Sequence, residues 1–308
     1  MEVRNLIQFI LLRHFEHFRS PNPSHSKVEI NSYQFRHTSN NLTDPHFRTF
    51  SGDYFSYHGQ CDLVLLQSLS FDSGKGLDVH IRTTRVDTMS FQYSYISGIA
   101  LKIGNKVLEA HADGSLISKD LTDDDDDLSD SEDENQLRTF AGMSVTTGFS
   151  GLKKRIVMHT ISLGNKKSIE IRANTKNSIL FIDVKGAFAG STGLLGSQKG
   201  LVARDGATDM TGFWNTHGEE WQVQSTEPKL FKDMHRAPQY PDGCLYEDTT
   251  KDHRHGRKLM SEEDAIAIES SAMEACKGVE GVLKDFCIAD VVALGDVDLA
   301  EDPFYTTQ

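Results

Sequence analysis

Between residues 47 and 186 the sequence reads as strand after strand, and no helix-length apolar periodicity interrupts it. Leu77-Asp78-Val79-His80-Ile81-Arg82 alternates as a half-buried strand must. Residues 95–103 and 106–111 flank Gly104-Asn105, a pair that tolerates positive φ, and so predict a hairpin. Residues 155–162, 168–174 and 179–184 continue the series. Strand after strand with no intervening helix argues against an α/β layer and for an antiparallel sandwich. At the head of the series, 47–57 is rich in aromatic and β-favouring residues and 62–66 is continuously apolar. His58-Gly59-Gln60-Cys61 joins these two runs with a glycine turn and a cysteine.

Charge narrows the partners. The chain has 308 residues and a net charge of −13, but ten acidic side chains and no basic one fall within 120–134. The remainder is near neutral and offers no broad basic face for nucleic acid. The run from Asp123 to Asp127, continued by Asp130, Glu132, Asp133 and Glu134, repels itself and has little to bury, which predicts a disordered loop between strands. Weak calcium binding there, or phosphorylation of Ser129 and Ser131, are its functional readings. No apolar run reaches 18 residues, so no transmembrane helix is expected.

Cys61, Cys244, Cys276 and Cys287 allow three pairings or four free thiols, and neither a C-x-x-C nor a zinc spacing occurs. Residues 1–37 read as a tail and linker. The apolar run 6–12 is interrupted by Gln8 and lacks a small-residue cleavage site, so no signal peptide is clearly present, and a chain without its true start explains the segment equally well. Asn41-Leu42-Thr43 is an N-glycosylation sequon, meaningful in a secreted protein.

Gly186, Gly190, Gly193, Gly196 and Gly200 follow an apolar strand, which invites a nucleotide-binding reading. It fails because there is no G-x-G-x-x-G, no G-K-[ST] and no following amphipathic helix to face a phosphate. After Pro228 the composition changes. Ser261 reads as an N-cap, and Ala265, Ile268, Ala272 and Ala275 fall at helical spacing. A second short helix is expected over 279–287. His253 and His255 sit among basic neighbours in a surface loop, and neither a G-x-S-x-G nor a zincin motif is present.

Asp44-Pro45-His46-Phe47, Thr49-Phe50, Gly52, Phe55, Gly59, Cys61, Leu63 and Leu65 stand at a spacing that closely resembles the opening of a von Willebrand factor type D domain, usually G-D-P-H-Y-x-T-F-D-G-x-x-Y-x-F-x-G-x-C-x-Y-x-L. Thr43 replaces the first glycine, and Ser51 replaces the turn aspartate. Gly193-Leu194-Leu195-Gly196 resembles the family's G-L-C-G, and Gly218-Glu219-Glu220-Trp221-Gln222-Val223 resembles its end, where a glycine and a tryptophan close the sheet. The resemblance covers 38–232 and implies a mainly β protein, an antiparallel β-sandwich of the type D kind. A small helical, cysteine-bearing extension over 233–308 would follow it.

The resemblance also implies a function without catalytic residues. It points to a secreted or cell-surface module that contacts other proteins, or further copies of itself, in assembly, adhesion or matrix formation. It implies that Cys61 pairs with a cysteine beyond the tryptophan, for which Cys244 is the nearby candidate. Leu195 replaces one cysteine of a second family bridge, and its usual partner before Asp44 is missing too. Cys276–Cys287 is expected as a local bridge. The family's usual calcium loop reads C-G-N-x-D-G-N-x-x-D-D. Here Gly196, Gly200 and Asp205 match, while Ser197, Lys199, Leu201 and Arg204 replace its oxygen ligands. Calcium takes six to eight oxygens, so the site is expected to be degenerate, with Asp53, Asp205 and Asp209 left for a weaker one. Asp44-Pro45-His46 keeps the part of the motif that breaks under mild acid in some members. The rival readings are a hydrolase built around His46, Asp205 and Asp209, and an intracellular β-rich scaffold with an acidic loop.

Overall fold

The computed structural model describes residues 45–57, 59–87, 92–121, 138–150, 155–197, 200–232, 262–302 and Tyr305. The period-two pattern becomes two five-stranded antiparallel meanders and one small hairpin. Strands β1 (His46–Arg48) and β2 (Tyr54–Ser56) form the hairpin. The first sheet runs β3 (Asp62–Ser68), β4 (Leu77–Asp87), β5 (Gln92–Ile103), β6 (Lys106–His111) and β7 (Leu116–Asp120). The second runs β8 (Arg138–Phe140), β9 (Met143–Ser150), β10 (Ile156–Gly164), β11 (Lys167–Asn174) and β12 (Ile179–Lys185). The acidic run falls between β7 and β8, outside the described residues.

Alternation puts one face of each sheet into a shared core. Leu63, Ile81, Ile99 and Leu101 enter it from the first sheet, and Val145, Ile161, Ile169 and Ile171 from the second. Each such side chain contributes roughly 1.5–3 kcal/mol on burial, and this common core makes the two sheets a sandwich. β6 carries a charge inward. Glu109 is buried, but its carboxylate pairs with Lys119 of β7 at 2.9 Å and accepts the Lys232 N–H at 2.7 Å. These partners hold its pKa below the usual glutamate value despite burial, which pushes the other way.

The C-terminal residues form a separate compact unit. Helix α1 (Trp214–Glu220) belongs to the β-rich unit; in the C-terminal unit helix α2 (Glu262–Ala275) ends in a 3₁₀ turn, Cys276–Gly278, and helix α3 (Val282–Leu294) follows. Cys276 and Cys287 are disulfide-bonded, as the local-bridge expectation had it. The second helix runs beyond the expected 279–287. It starts after Gly281 at φ 60° and continues to Gly295, whose left-handed conformation caps it. Its extra turns contribute the buried Ile288, Val291 and Ala293. Tyr305 donates a hydrogen bond to the buried Asp290, whose carboxyl is pushed up to about 7 by burial. Among the described residues no helix is long and apolar enough to cross a membrane.

Candidate functional site

The motif residues converge on the outer edge of β3. The run 47–57 is not one strand, because Thr49, Ser51 and Asp53 build a turn inside it. The Asp53 N–H donates to Thr49 Oγ1 at 3.0 Å, Ser51 Oγ donates to Asp53 Oδ2 at 2.7 Å, and the two hydroxyls lie 2.9 Å apart. Side chains of this kind compete with a strand ladder for local hydrogen bonds. The turn folds β1 onto β2 and stacks Phe47 on Phe55 at 5.0 Å. Phe55 also stacks on Trp214 at 5.6 Å and meets the edge of His217 at 5.7 Å, both on helix α1 (Trp214–Glu220). Tyr57 lies so close to the same helix that a Cβ on Gly218 would stand 2.1 Å from its ring. His46 bonds Ser56 Oγ through Nδ1 at 2.7 Å, across the β1–β2 ladder. Pro45 is buried, while Asp44 and Asn41 lie outside the described residues.

Two later segments cover the exposed edge of β3. Thr192 and Gln67 exchange both backbone hydrogen bonds, and Leu194 and Leu195 donate to the carbonyls of Val64 and Leu65. Trp221 O accepts from Val64 N at 2.8 Å, and Val223 N donates to Asp62 O at 2.9 Å. An uncovered strand edge is a pairing hazard, and here the chain closes its own. Gly193 makes the approach possible: at φ +112° a Cβ would stand 2.7 Å from the Leu65 carbonyl oxygen. Leu195, in the place of the family's cysteine, is buried, and its carbonyl accepts from Phe50 N. Cys61, at the start of the same strand, is buried and disulfide-bonded. Cys244, the partner implied by the resemblance, lies outside the described residues.

The loop between these segments is organised by a guanidinium. Arg204 donates from Nε to the Glu220 carbonyl at 2.6 Å and from Nη2 to the Gln222 carbonyl at 2.7 Å. It forks onto the Glu227 carboxylate through Nη1 and Nη2 and lies over the Trp221 ring, 5.0 Å from its centroid. Glu220 accepts the Arg204 backbone N–H as well. The guanidinium holds the Glu227 carboxyl below the usual range. The nearby acids are spent locally. Asp205 accepts from the N–H groups of Ala207 and Thr208, and Asp209 from that of Thr211, so each caps its own turn and each carboxyl is held low by those bonds. Asp53 is committed to Ser51. Among the described residues no three acidic, histidine or cysteine side chains gather closely enough to hold a metal ion. A fixed cation beside carboxylates engaged elsewhere does not fit calcium. Neither Asp205 nor Asp209 bonds to His46, so the three residues of the hydrolase reading are not assembled.

Beneath the loop lies a buried charged group that the sequence did not mark as part of a site. Arg82 holds Asp62 through two bonds, at 2.7 and 2.9 Å, with both side chains buried, and its guanidinium lies over Phe231 at 4.3 Å. His80 is buried nearby. Desolvation pulls its pKa down to about 4, against the opposing pull of Asp78, Asp62 and Glu227, while Arg204 pushes the same way as burial. The alternation of β4 groups His80 with Asp78 and Arg82 on the polar face, so neither its burial nor its link to a loop more than a hundred residues later is foretold locally.

This is a two-sheet antiparallel sandwich in which the closing tryptophan segment bonds one edge strand directly and the opening hairpin bonds, through Phe50, the segment that covers it. The von Willebrand factor type D domain model matches residues 42–205, more than half of the chain, and the protein belongs to that family. The family consists in general of extracellular modules of protein interaction and assembly, typically without enzymatic activity. Comparison with curated proteins finds no match.

Proposed function

We propose that the protein is a secreted or cell-surface module that works by contact with other proteins, or with further copies of itself, in adhesion or matrix assembly. The family match over 42–205 carries this reading. The motif residues support it, because they are engaged in structure: His46 and Thr49 bond within the opening hairpin, Phe55 stacks on Trp214, and Trp221 bonds β3. The same reading pairs Cys61 with Cys244, glycosylates Asn41, and gives the closing loop Arg204 in place of a bound cation. The test is expression of the chain behind an added secretion signal, followed by non-reducing peptide mapping and sedimentation of the secreted material. The reading expects a Cys61–Cys244 peptide, a glycan on Asn41 and assembly beyond the monomer or with a co-secreted protein. A monomer that stays in the cytosol with reduced, alkylatable cysteines would overturn it.

A further inference from the structure

One end of the sandwich opens into a cavity of about 370 Å³, within the roughly 300–1,000 Å³ of small-molecule sites. Four stretches of chain meet there: Ser68 to Ser73 after β3, Met143 at the start of β9, Leu163 to Lys167 across the β10–β11 turn, and Ala187 to Ala189 after β12. Both sheets therefore contribute, and the cavity is fixed by the fold rather than by one loop.

Its lining is polar and uncommitted. Lys167 makes no ion pair among the described residues; its ammonium lies 5.1 Å from the Phe188 ring centroid and 5.8 Å from that of Phe71. Two rings thus hold a cation in place without neutralising it. The carboxylate in the lining, Asp72, is taken by Lys75 at 2.8 Å. The hydroxyls of Ser68, Ser70 and Ser73 and the amide of Asn165 line the same space, and no hydrogen bond within the described residues occupies these side chains.

The backbone around the cavity is also unusual. Six non-glycine residues among those described have positive φ, and four of them are here: Asp72, Ser73, Asn165 and Lys166. Asn165-Lys166 is the two-residue turn of a hairpin, where positive φ is normal and asparagine suits it. Asp72 and Ser73, at φ 46° and 59°, are consecutive left-handed residues in the longer loop that joins β3 to β4. Strain of this kind, on the order of 1–3 kcal/mol per residue, gathers at ligand sites.

We propose that this cavity binds an acidic saccharide, with Lys167 taking the carboxylate and the serine hydroxyls and Asn165 taking the sugar hydroxyls. A free ammonium needs an anion, and a lining of hydroxyls and amide suits a polyhydroxylated ligand better than an apolar one. The assignment is independent of the protein-contact function proposed above.

The test is titration of the full chain with N-acetylneuraminic acid, glucuronic acid, glucose and inorganic sulfate, followed by calorimetry and by NMR shifts of residues 68–73 and 163–167. The proposal expects saturable binding of at least one acidic sugar, none of glucose, and weaker binding of sulfate. Lys167→Gln should weaken the acidic sugar by about tenfold or more with an unchanged melting temperature, whereas Lys75→Gln should leave affinity intact. Absence of binding by both acidic sugars at millimolar concentration, unchanged affinity in Lys167→Gln, or sulfate binding as tight as the sugar would overturn it.

Discussion

The opening hairpin and the closing loop both adjoin the segments that cover β3, and they are held by different means. The hairpin stacks Phe47 on Phe55 and Phe55 on Trp214 of helix α1, and keeps most residues of the family's pattern. The loop has lost most of that pattern's oxygen ligands and is held by the bonds of Arg204 to Glu220, Gln222 and Glu227. The contrast shows which kinds of joint tolerate replacement. Interdigitated aromatic packing depends on the shape of each member. A loop held by a guanidinium depends instead on hydrogen bonds, because the fork of Arg meets carboxylate and carbonyl oxygens directly.

The largest effect is expected on the hairpin side. Phe55→Ala removes two stacked partners and an edge contact at once, and urea unfolding should show a loss of about 3–5 kcal/mol. A loss below about 1 kcal/mol would mean that the hairpin is an appendage and not a joint.

Next comes acid. His80 is neutral in the fold, with its pKa lowered from 6.5 to about 4. The unfolded chain takes up a proton below about 6.5 and the folded one does not until about 4, so stability is complete above that window and falls as pH drops through it. The loss is on the order of 3 kcal/mol, and His80→Asn should flatten it. Arg204 pushes the His80 pKa down, so its removal should move the NMR titration of His80 upward. No movement would separate the loop from the charged group beneath it.

Arg204→Ala should cost about 2 kcal/mol through lost charge-assisted bonds and its place over Trp221. Arg204→Lys should recover little, because an ammonium cannot fork. A double-mutant cycle with Glu227→Ala should show that the two residues are coupled, and additive losses would contradict the joint described here.

Much of this was legible. The short apolar run 179–184 and the pair Gly104-Asn105 lead directly to β12 and to the β5–β6 hairpin, since run length and turn chemistry are local. Strands β8 and β9 were not read out, because they are polar and follow the acidic run. The hairpin within 47–57 was hidden because its turn is made by Thr49, Ser51 and Asp53, three residues that read individually as strand, turn and ligand. Arg204 was legible as the loss of an oxygen ligand. Its role was not, because two of its acceptors are backbone carbonyls, which leave no mark in sequence, and the third lies 23 residues away.

A smaller effect concerns the hairpin's first bond. The Asp44 carboxyl can attack its own carbonyl carbon to form a cyclic anhydride, with the proline nitrogen leaving as a protonated amine. An imidazolium at His46 would supply the proton. Thr43 in place of glycine restricts the backbone, so cleavage should be slow and confined to below about pH 6. N-terminal sequencing after days at acid pH should find a fragment starting at Pro45. Equal cleavage in His46→Ala would remove the imidazole from the chemistry.

The most direct test of the guanidinium's role is the melting temperature of the wild-type chain in EDTA and in excess calcium. A calcium site in the closing loop, filled at 100 times its dissociation constant, would add about 2.7 kcal/mol, or roughly 5–10 °C. With Arg204 as the built-in cation, the two melting curves should coincide within about 1 °C. A calcium-dependent rise of several degrees, abolished by Asp205→Asn, would show that the loop is held by a metal after all.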